Sequence, residues 1–317
     1  MKQWLTFLVL WLAGSAQADE APSLPRVATD AATVMAFPWR AVQDVPDFFR
    51  KSNPSDNAAA YLWLGASTLA LIAADQPIID ESQRFAYRIG LISANDDGRQ
   101  SRVLVKNSVF GIGADLRVPV TPNSYLYYLG DGLTTVLVTG GLFTFGGLAG
   151  DVKAVSAGSQ ILEALTLTGM FIITGKMATG REAPFRASIP GGRWRGFEGF
   201  KAYLTDVSKH DAFPSGHIAT LTATFRILAE NYFTQPWVLY TGYGCAGVLM
   251  WSMLNNGEHW ASDYPLGIAI GYTASGVVLD RHLGPERPGR LGSMGTPSSF
   301  SILPVGDGLL AQKTWLF

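Results

Sequence analysis

Residues 157–175 read Ala-Gly-Ser-Gln-Ile-Leu-Glu-Ala-Leu-Thr-Leu-Thr-Gly-Met-Phe-Ile-Ile-Thr-Gly and run straight into Lys176. A run of this length suits a helix rather than a strand, which averages about 5–6 residues. Five more apolar segments rich in Ala, Leu, Gly, Thr and Val lie at 60–74, 126–149, 217–230, 237–254 and 264–279. Together they predict an all-α fold, a helical bundle of about six core helices. Ser156 before the third segment and Asp263 ahead of Pro265 in the sixth read as helix starts. No fixed-period repeat is visible.

The chain has 317 residues and a formal net charge of −1, with 15% charged and 48% hydrophobic residues. That balance gives no basic surface for nucleic acid. Low charge and a mean hydropathy of +0.17 fit either a membrane protein or a densely packed helical one. A single cysteine, Cys245, excludes a disulfide framework and a thiolate metal site within one chain.

Lys2, an apolar run from Trp4 to Ala13 and the ending Ala16-Gln17-Ala18 read as a secretory signal over residues 1–18, too short to span a bilayer permanently. The expected destination is the periplasm. Residues 19–59, punctuated by Pro22, Pro25, Pro38, Pro46 and Pro54, read as an extended or loosely helical lead-in. The helical domain is expected over 60–284 and a Gly/Pro-rich, packed tail over 285–317.

Most of the apolar runs fall short of the ~20 residues a bilayer needs, and Asp131, Glu163, Arg226 and Glu230 lie in or at the ends of them. A cleaved signal followed by three crossings would also turn Lys176 toward the cytoplasm. The reading favoured is therefore a soluble or membrane-associated periplasmic domain, with an integral inner-membrane protein as the alternative. The polar insertion 186–209 mixes Arg186, Arg193, Arg195, Lys201 and Lys209 with Trp194, Phe197 and Phe200. It is read as a solvated loop, or as a lid that grips a substrate.

Three short stretches carry chemistry. Ser215-Gly216-His217 opens the fourth apolar segment. There unpaired N–H groups of a helix N-terminus, a glycine and a hydroxyl can receive an anion, and His217 can donate a proton. His259 and Asp263 are four apart, so a carboxylate can fix one ring nitrogen and leave the other free to attack. Alone, such a pair is more often a surface or capping pair, and Pro214-Ser-Gly-His can be a plain helix cap. Lys176 at the end of the third segment is ordinarily a dipole-complementing residue, and it is also the cation an anion pocket needs. His210 and His282 have no comparable setting.

Lys176 followed after six residues by a residue–proline pair, then Pro214-Ser-Gly-His217, then Ser252, then His259-x-x-x-Asp263, resembles the three-part signature of the type 2 phosphatidic acid phosphatase and vanadium haloperoxidase superfamily. The likeness covers roughly residues 125–280, including Gly130-Asp131-Gly132 upstream. It implies an all-helical bundle in which Lys176, Ser215, the Gly216 backbone and Ser252 hold a phosphate. His217 would protonate the leaving group, His259 would be the nucleophile forming a phosphohistidine, and Asp263 would orient it. Phosphatase action in this family needs no metal or other cofactor. The implied partner is a phosphate-bearing small molecule or lipid.

The departures matter equally. The first motif of the family ends Arg-Pro, and here it is Ala183-Pro184; the third begins Ser-Arg, and here it is Ser252-Met253. Each absent guanidinium would make charge-assisted bonds to phosphoryl oxygens, and losing one such contact costs about 10²–10³ in rate. Arg181 and Arg186 are the candidate compensating cations. Restoring arginine at 183 and 253 is expected to raise activity if the rest of the pocket is intact. Three functions are in play: a phosphatase acting on a phosphomonoester or diphosphate, including a lipid phosphate; a weak or inactive relative with an anion-binding or structural envelope role; and, more distantly, a haloperoxidase.

Overall fold

The computed structural model describes residues 34–92, 101–105, 108–109, 112–113, 116–128, 132–287, 299–305 and 308–314. The segment read as a signal, 1–18, and Gly130-Asp131 lie outside the described residues. The helices are α1 (Phe37–Gln43), α2 (Val45–Lys51), α3 (Ala58–Arg88), α4 (Pro122–Tyr128), α5 (Gly132–Ala149), α6 (Val152–Thr179), α7 (Phe200–Thr205), α8 (Gly216–Asn231), α9 (Pro236–Asn256) and α10 (Tyr264–Leu283). Three two-stranded antiparallel ribbons accompany them: Ser101–Val105 with Leu116–Pro119, Ser108–Val109 with Ile112–Gly113, and Ser299–Val305 with Gly308–Thr314. The fold is all-α, as the apolar segments predict. The tail expected after Pro285 contributes the last of these ribbons.

α6 is the central helix, packed against α5, α8, α10 and α1. It begins five residues earlier than Ser156 predicts, because the Asp151 side chain accepts from the Ala154 N–H at 3.1 Å and caps the first turn. Gly180, in the left-handed region at φ 54°, ends it four residues beyond Lys176. The apolar core along it comprises Ala157, Ile161, Ala164, Ala223, Ile227, Val278 and Leu279.

α8 and α10 lie in close contact, and small residues permit it. A Cβ on Gly267 would sit 2.6 Å from the Ser215 carbonyl oxygen, and one on Gly271 would collide with that of Ala219. This approach seats the N-terminus of α8 beside that of α10, and the Ser215 N–H donates to the Asp263 carbonyl at 3.0 Å. Two of the three motif stretches therefore meet through backbone packing before any side chain is considered.

The lead-in is bound into the bundle. α1 and α2 pack on α6 and α10, with Phe48 stacked on Phe171 at 3.7 Å between centroids. Arg40 pairs with Glu163, Lys51 with Asp280, and Arg281 with Asp44. Glu163 also bonds His282 at 3.0 Å, and Arg226 bonds Glu230 at 2.7 Å. Glu163, Arg226 and Glu230, charged residues inside or at the ends of the apolar segments, are thus buried in ion pairs.

α3 is different. It is 31 residues long, and Tyr61, Leu62, Trp63 and Leu69 on it are exposed. It and α6 are each long and apolar enough to cross a membrane, but only 6% of the apolar window of α3 is buried, against 33% for α6. A helix so apolar and so little covered by protein favours contact with lipid.

Candidate active site

Four elements converge at one end of the bundle: the C-terminus of α6, the N-terminus of α8, the loop from α9 to α10, and α4. Lys176 is largely buried, and its Nζ lies 3.9 Å from where a Gly216 Cβ would stand, over the first turn of α8. Asp211 faces the same ammonium at 3.5 Å. Ser215 occupies the N-cap position of α8, and its buried hydroxyl has no hydrogen-bond partner among the described residues. A hydroxyl buried without a partner costs about 1–3 kcal/mol. Beside an ammonium and free helix N–H groups, its natural complement is an anionic oxygen.

His217 projects from the first turn of α8. Its Nε2 lies 2.7 Å from the Tyr127 hydroxyl of α4, and its Nδ1 lies 3.4 Å from Nε2 of His259. His259 directs Nδ1 at the Ala212 carbonyl, 2.8 Å away, and at Asp263 Oδ2, 3.3 Å away. The shorter bond holds the ring, so the backbone carbonyl shares the orienting role that spacing assigns to Asp263 alone. Burial, with Lys176 nearby, pulls the His259 pKa down to about 3. The ring is then neutral at ordinary pH, with the Nε2 lone pair directed toward His217.

Asp263 is fully buried, and burial pushes its carboxyl up to about 7 against the opposing pull of Arg181 and the Trp260 N–H. Its Oδ2 accepts from the Trp260 N–H at 2.7 Å, and its Oδ1 accepts from Arg181 at 2.6 Å. Arg181 also donates to Asp75 Oδ2 of α3 at 2.6 Å, to the Ser262 hydroxyl at 2.6 Å and to the Gly191 carbonyl at 2.8 Å. Its guanidinium lies 4.6 Å from the Trp194 ring centroid and 5.2 Å from that of Trp260.

Three expectations need correction. Arg181 is not a cation turned to the pocket; both of its terminal nitrogens bind Asp263 and Asp75 behind His259. Arg186 pairs with Asp206 at 2.6 Å on a half-exposed surface and joins none of the four elements. Ser252 is fully buried, and its hydroxyl donates to the Asn123 carbonyl at 2.8 Å, tying α9 to α4. That bond takes the one proton a serine hydroxyl can offer a phosphate.

The two positions that lack arginine are both packed. Met253 has no exposed surface and sits among Ile218, Leu221, Leu249 and Tyr264. Ala183 packs on Ile79, Ala212 and Trp260. An open groove of about 560 Å³ runs along the outer side of Trp260, between α3 and the 184–190 turn, with Gln76, Ile79, Phe185 and Ile189 in its walls. It adjoins the site without containing the two histidine nitrogens.

Sequence reasoning missed Asp75, Ala212 and Tyr127. A carboxylate one residue past an apolar segment was a usable signal for Asp75. Neither a backbone carbonyl nor one tyrosine among eleven carries any.

Residues 157–283, which carry most of α6 together with α8 and α10, match the sequence pattern that defines the PAP2 superfamily. Residues 157–283 belong to that family. The PAP2 region takes in Lys176, Ser215, His217, His259 and Asp263, while α4 and α5 lie before it. A 67-residue stretch is 36% identical to a lipid A 1-phosphatase of Porphyromonas gingivalis, covering 21% of this chain and 15% of that protein. The chain thus matches well under two thirds of that relative. No solved structure matches.

Proposed function

We propose that the protein hydrolyses a phosphomonoester or diphosphate borne by a lipid, through a phosphohistidine at His259. Lys176, Ser215 and the Gly216 N–H receive the phosphoryl oxygens. His259 Nε2 attacks phosphorus, the bond to the leaving oxygen breaks, and that oxygen takes the Nδ1 proton of His217. Water then cleaves the P–N bond and returns a proton to His217. The observation that carries this reading is the buried Ser215 hydroxyl, without a hydrogen-bond partner among the described residues, at the N-cap of the helix whose first turn Lys176 faces. The name of the Porphyromonas relative and the exposed apolar α3 support a lipid substrate met at a membrane. The segment 1–18 supports export to the periplasm, which the mass of the mature chain checks.

The deciding experiment measures phosphate release by the purified protein from lipid phosphates in mixed micelles and from matched soluble phosphates. Acid-labile phosphoenzyme is trapped by rapid quench. Release confined to soluble esters would remove the lipid from the proposal, and an absence of release from every substrate would remove hydrolysis.

One observation favours a second reading, a weak or inactive anion binder: with Met253 and Ala183 buried, Lys176 is the cation at the phosphate cradle among the described residues. The packing also reverses what the sequence predicts for restoring arginine. A guanidinium stays charged when buried, and Met253→Arg would place it among four apolar side chains. The expected result is a loss of several kcal/mol of stability with no gain in activity, read by thermal unfolding and phosphate release. A stable Met253→Arg protein with raised turnover would show that the arginine position still opens on the pocket.

A further inference from the structure

Three hydrogen bonds at the site fix one another's direction. A carbonyl oxygen only accepts, so His259 donates from Nδ1 to Ala212, and its Nε2 is an acceptor. The contact between His259 Nε2 and His217 Nδ1 at 3.4 Å then requires His217 to carry its proton on Nδ1. A neutral imidazole with a proton on Nδ1 accepts at Nε2, and the group there is the Tyr127 hydroxyl at 2.7 Å. The chain of donors runs one way, Tyr127 to His217 to His259 to Ala212.

This order has a chemical consequence. Burial, then the neighbouring His259 and Lys176, hold the His217 pKa well below its ordinary value, so the ring is neutral at neutral pH. A neutral imidazole that gives up its Nδ1 proton becomes an imidazolate unless Nε2 gains one. Groups that face the ring include Tyr127 from α4, Lys176 from α6 and His259 from the α9–α10 loop, with Asp211 beyond Lys176. Of these, the Tyr127 hydroxyl is the donor bonded to Nε2.

We propose that Tyr127 is a positioning residue for the acid–base histidine: its hydroxyl holds His217 as the Nδ1–H tautomer and replaces the proton given to the leaving oxygen. The proposal rests on the phosphatase reading for its second half only. In the first step the P–O bond breaks, the leaving oxygen takes the Nδ1 proton, and Nε2 takes the Tyr127 proton, which leaves a neutral ring and a tyrosinate. In the second step water attacks phosphorus and its proton passes to Nδ1 as the P–N bond breaks. The Nε2 proton returns to the Tyr127 oxygen, and both residues are restored. The separation of 3.4 Å between the two ring nitrogens is too short to hold a phosphoryl group. An attack distance of about 3–3.5 Å and a hydrogen bond of about 2.6–3.2 Å must both fit there. The rings therefore part on binding, and Tyr127 is the contact that keeps His217 oriented as they do.

The test uses the full-length chain with 15N-labelled histidine and its Tyr127→Phe variant. With four histidines in the sequence, ring nitrogen shifts are assignable by single substitutions. The wild type is expected to show His217 protonated at Nδ1, and Tyr127→Phe to shift the population toward Nε2–H. In turnover, Tyr127→Phe leaves only the imidazolium as a competent acid, and that form grows as pH falls. The variant is expected to lose on the order of 10²-fold or more in kcat/KM at pH 8 and distinctly less at pH 5. His217 protonated at Nε2 in the wild type overturns the proposal. So does an unchanged tautomer in the variant, or an activity loss equal at both pH values. Failure of the wild type to release phosphate from any substrate would defeat the phosphatase reading and with it the proton relay, and the spectra would still decide the tautomer.

Discussion

His259→Ala is expected to release no phosphate above background, a loss on the order of 10³-fold or more. In the proposed reaction its Nε2 is the nucleophile, with His217 and Lys176 beside it. Because the substitution also strips the Ala212 carbonyl of its 2.8 Å donor, it costs about 1–3 kcal/mol of stability. His259→Gln, whose side-chain amide can supply a replacement N–H, separates that cost from the chemistry. Both variants should stay folded at 25 °C and form no phosphoenzyme after rapid quench. Asp263→Asn is expected to retain part of the activity, since Ala212 still holds the ring. Phosphoenzyme persisting in His259→Ala would place the nucleophile elsewhere and end the phosphohistidine reading.

How much of this was legible in the chain depends on the reach of each interaction. Five of the six apolar segments each lie within one helix, and the described residues of 126–149 fall in α4 and α5, because burial and helical propensity act over a few turns. Segment 60–74 ends in sequence at Asp75, yet the helix continues to Arg88. The carboxylate that looks like an end is neutralised by Arg181, 106 residues away. The lead-in looked loose because its prolines mark breaks. Pro38 and Pro46 instead occupy the first turns of α1 and α2, where a missing N–H costs nothing.

At the site, motif spacing placed Lys176, Ser215, His217, His259 and Asp263 together. It did not say what each side chain touches. Ser252 was read as a phosphate ligand, but its partner is a carbonyl 129 residues earlier. Arg181 was read as a spare cation because positive charge near an anion pocket invites that inference. Its two carboxylate partners come from α3 and the α9–α10 loop, and no local pattern joins those elements.

The largest expected effect on stability follows from that last correction. Arg181→Met removes the charge that Asp75 and Asp263 share, and neither carboxylate has any exposed surface. Breaking a buried ion pair by deleting one partner typically costs about 3–5 kcal/mol. A transition shift on the order of 10 °C is therefore expected for a domain of this size. Lysine is a poor substitute, because one ammonium does not reproduce a fork that binds Asp263, Ser262, Asp75 and Gly191 at once. Arg181→Lys should fall between wild type and Arg181→Met. The sequence-based alternative predicts something else: were Arg181 a phosphate ligand, Arg181→Met would raise KM and lower kcat with little change in the unfolding transition. Melting curves of the purified variants distinguish the two. An Arg181→Met protein as stable as wild type would mean that Asp75 and Asp263 do not depend on the guanidinium. A large thermal loss that Asp75→Asn partly relieves in the double variant would show that the unpaired carboxylate is its source, since the amide removes the stranded charge while keeping the shape.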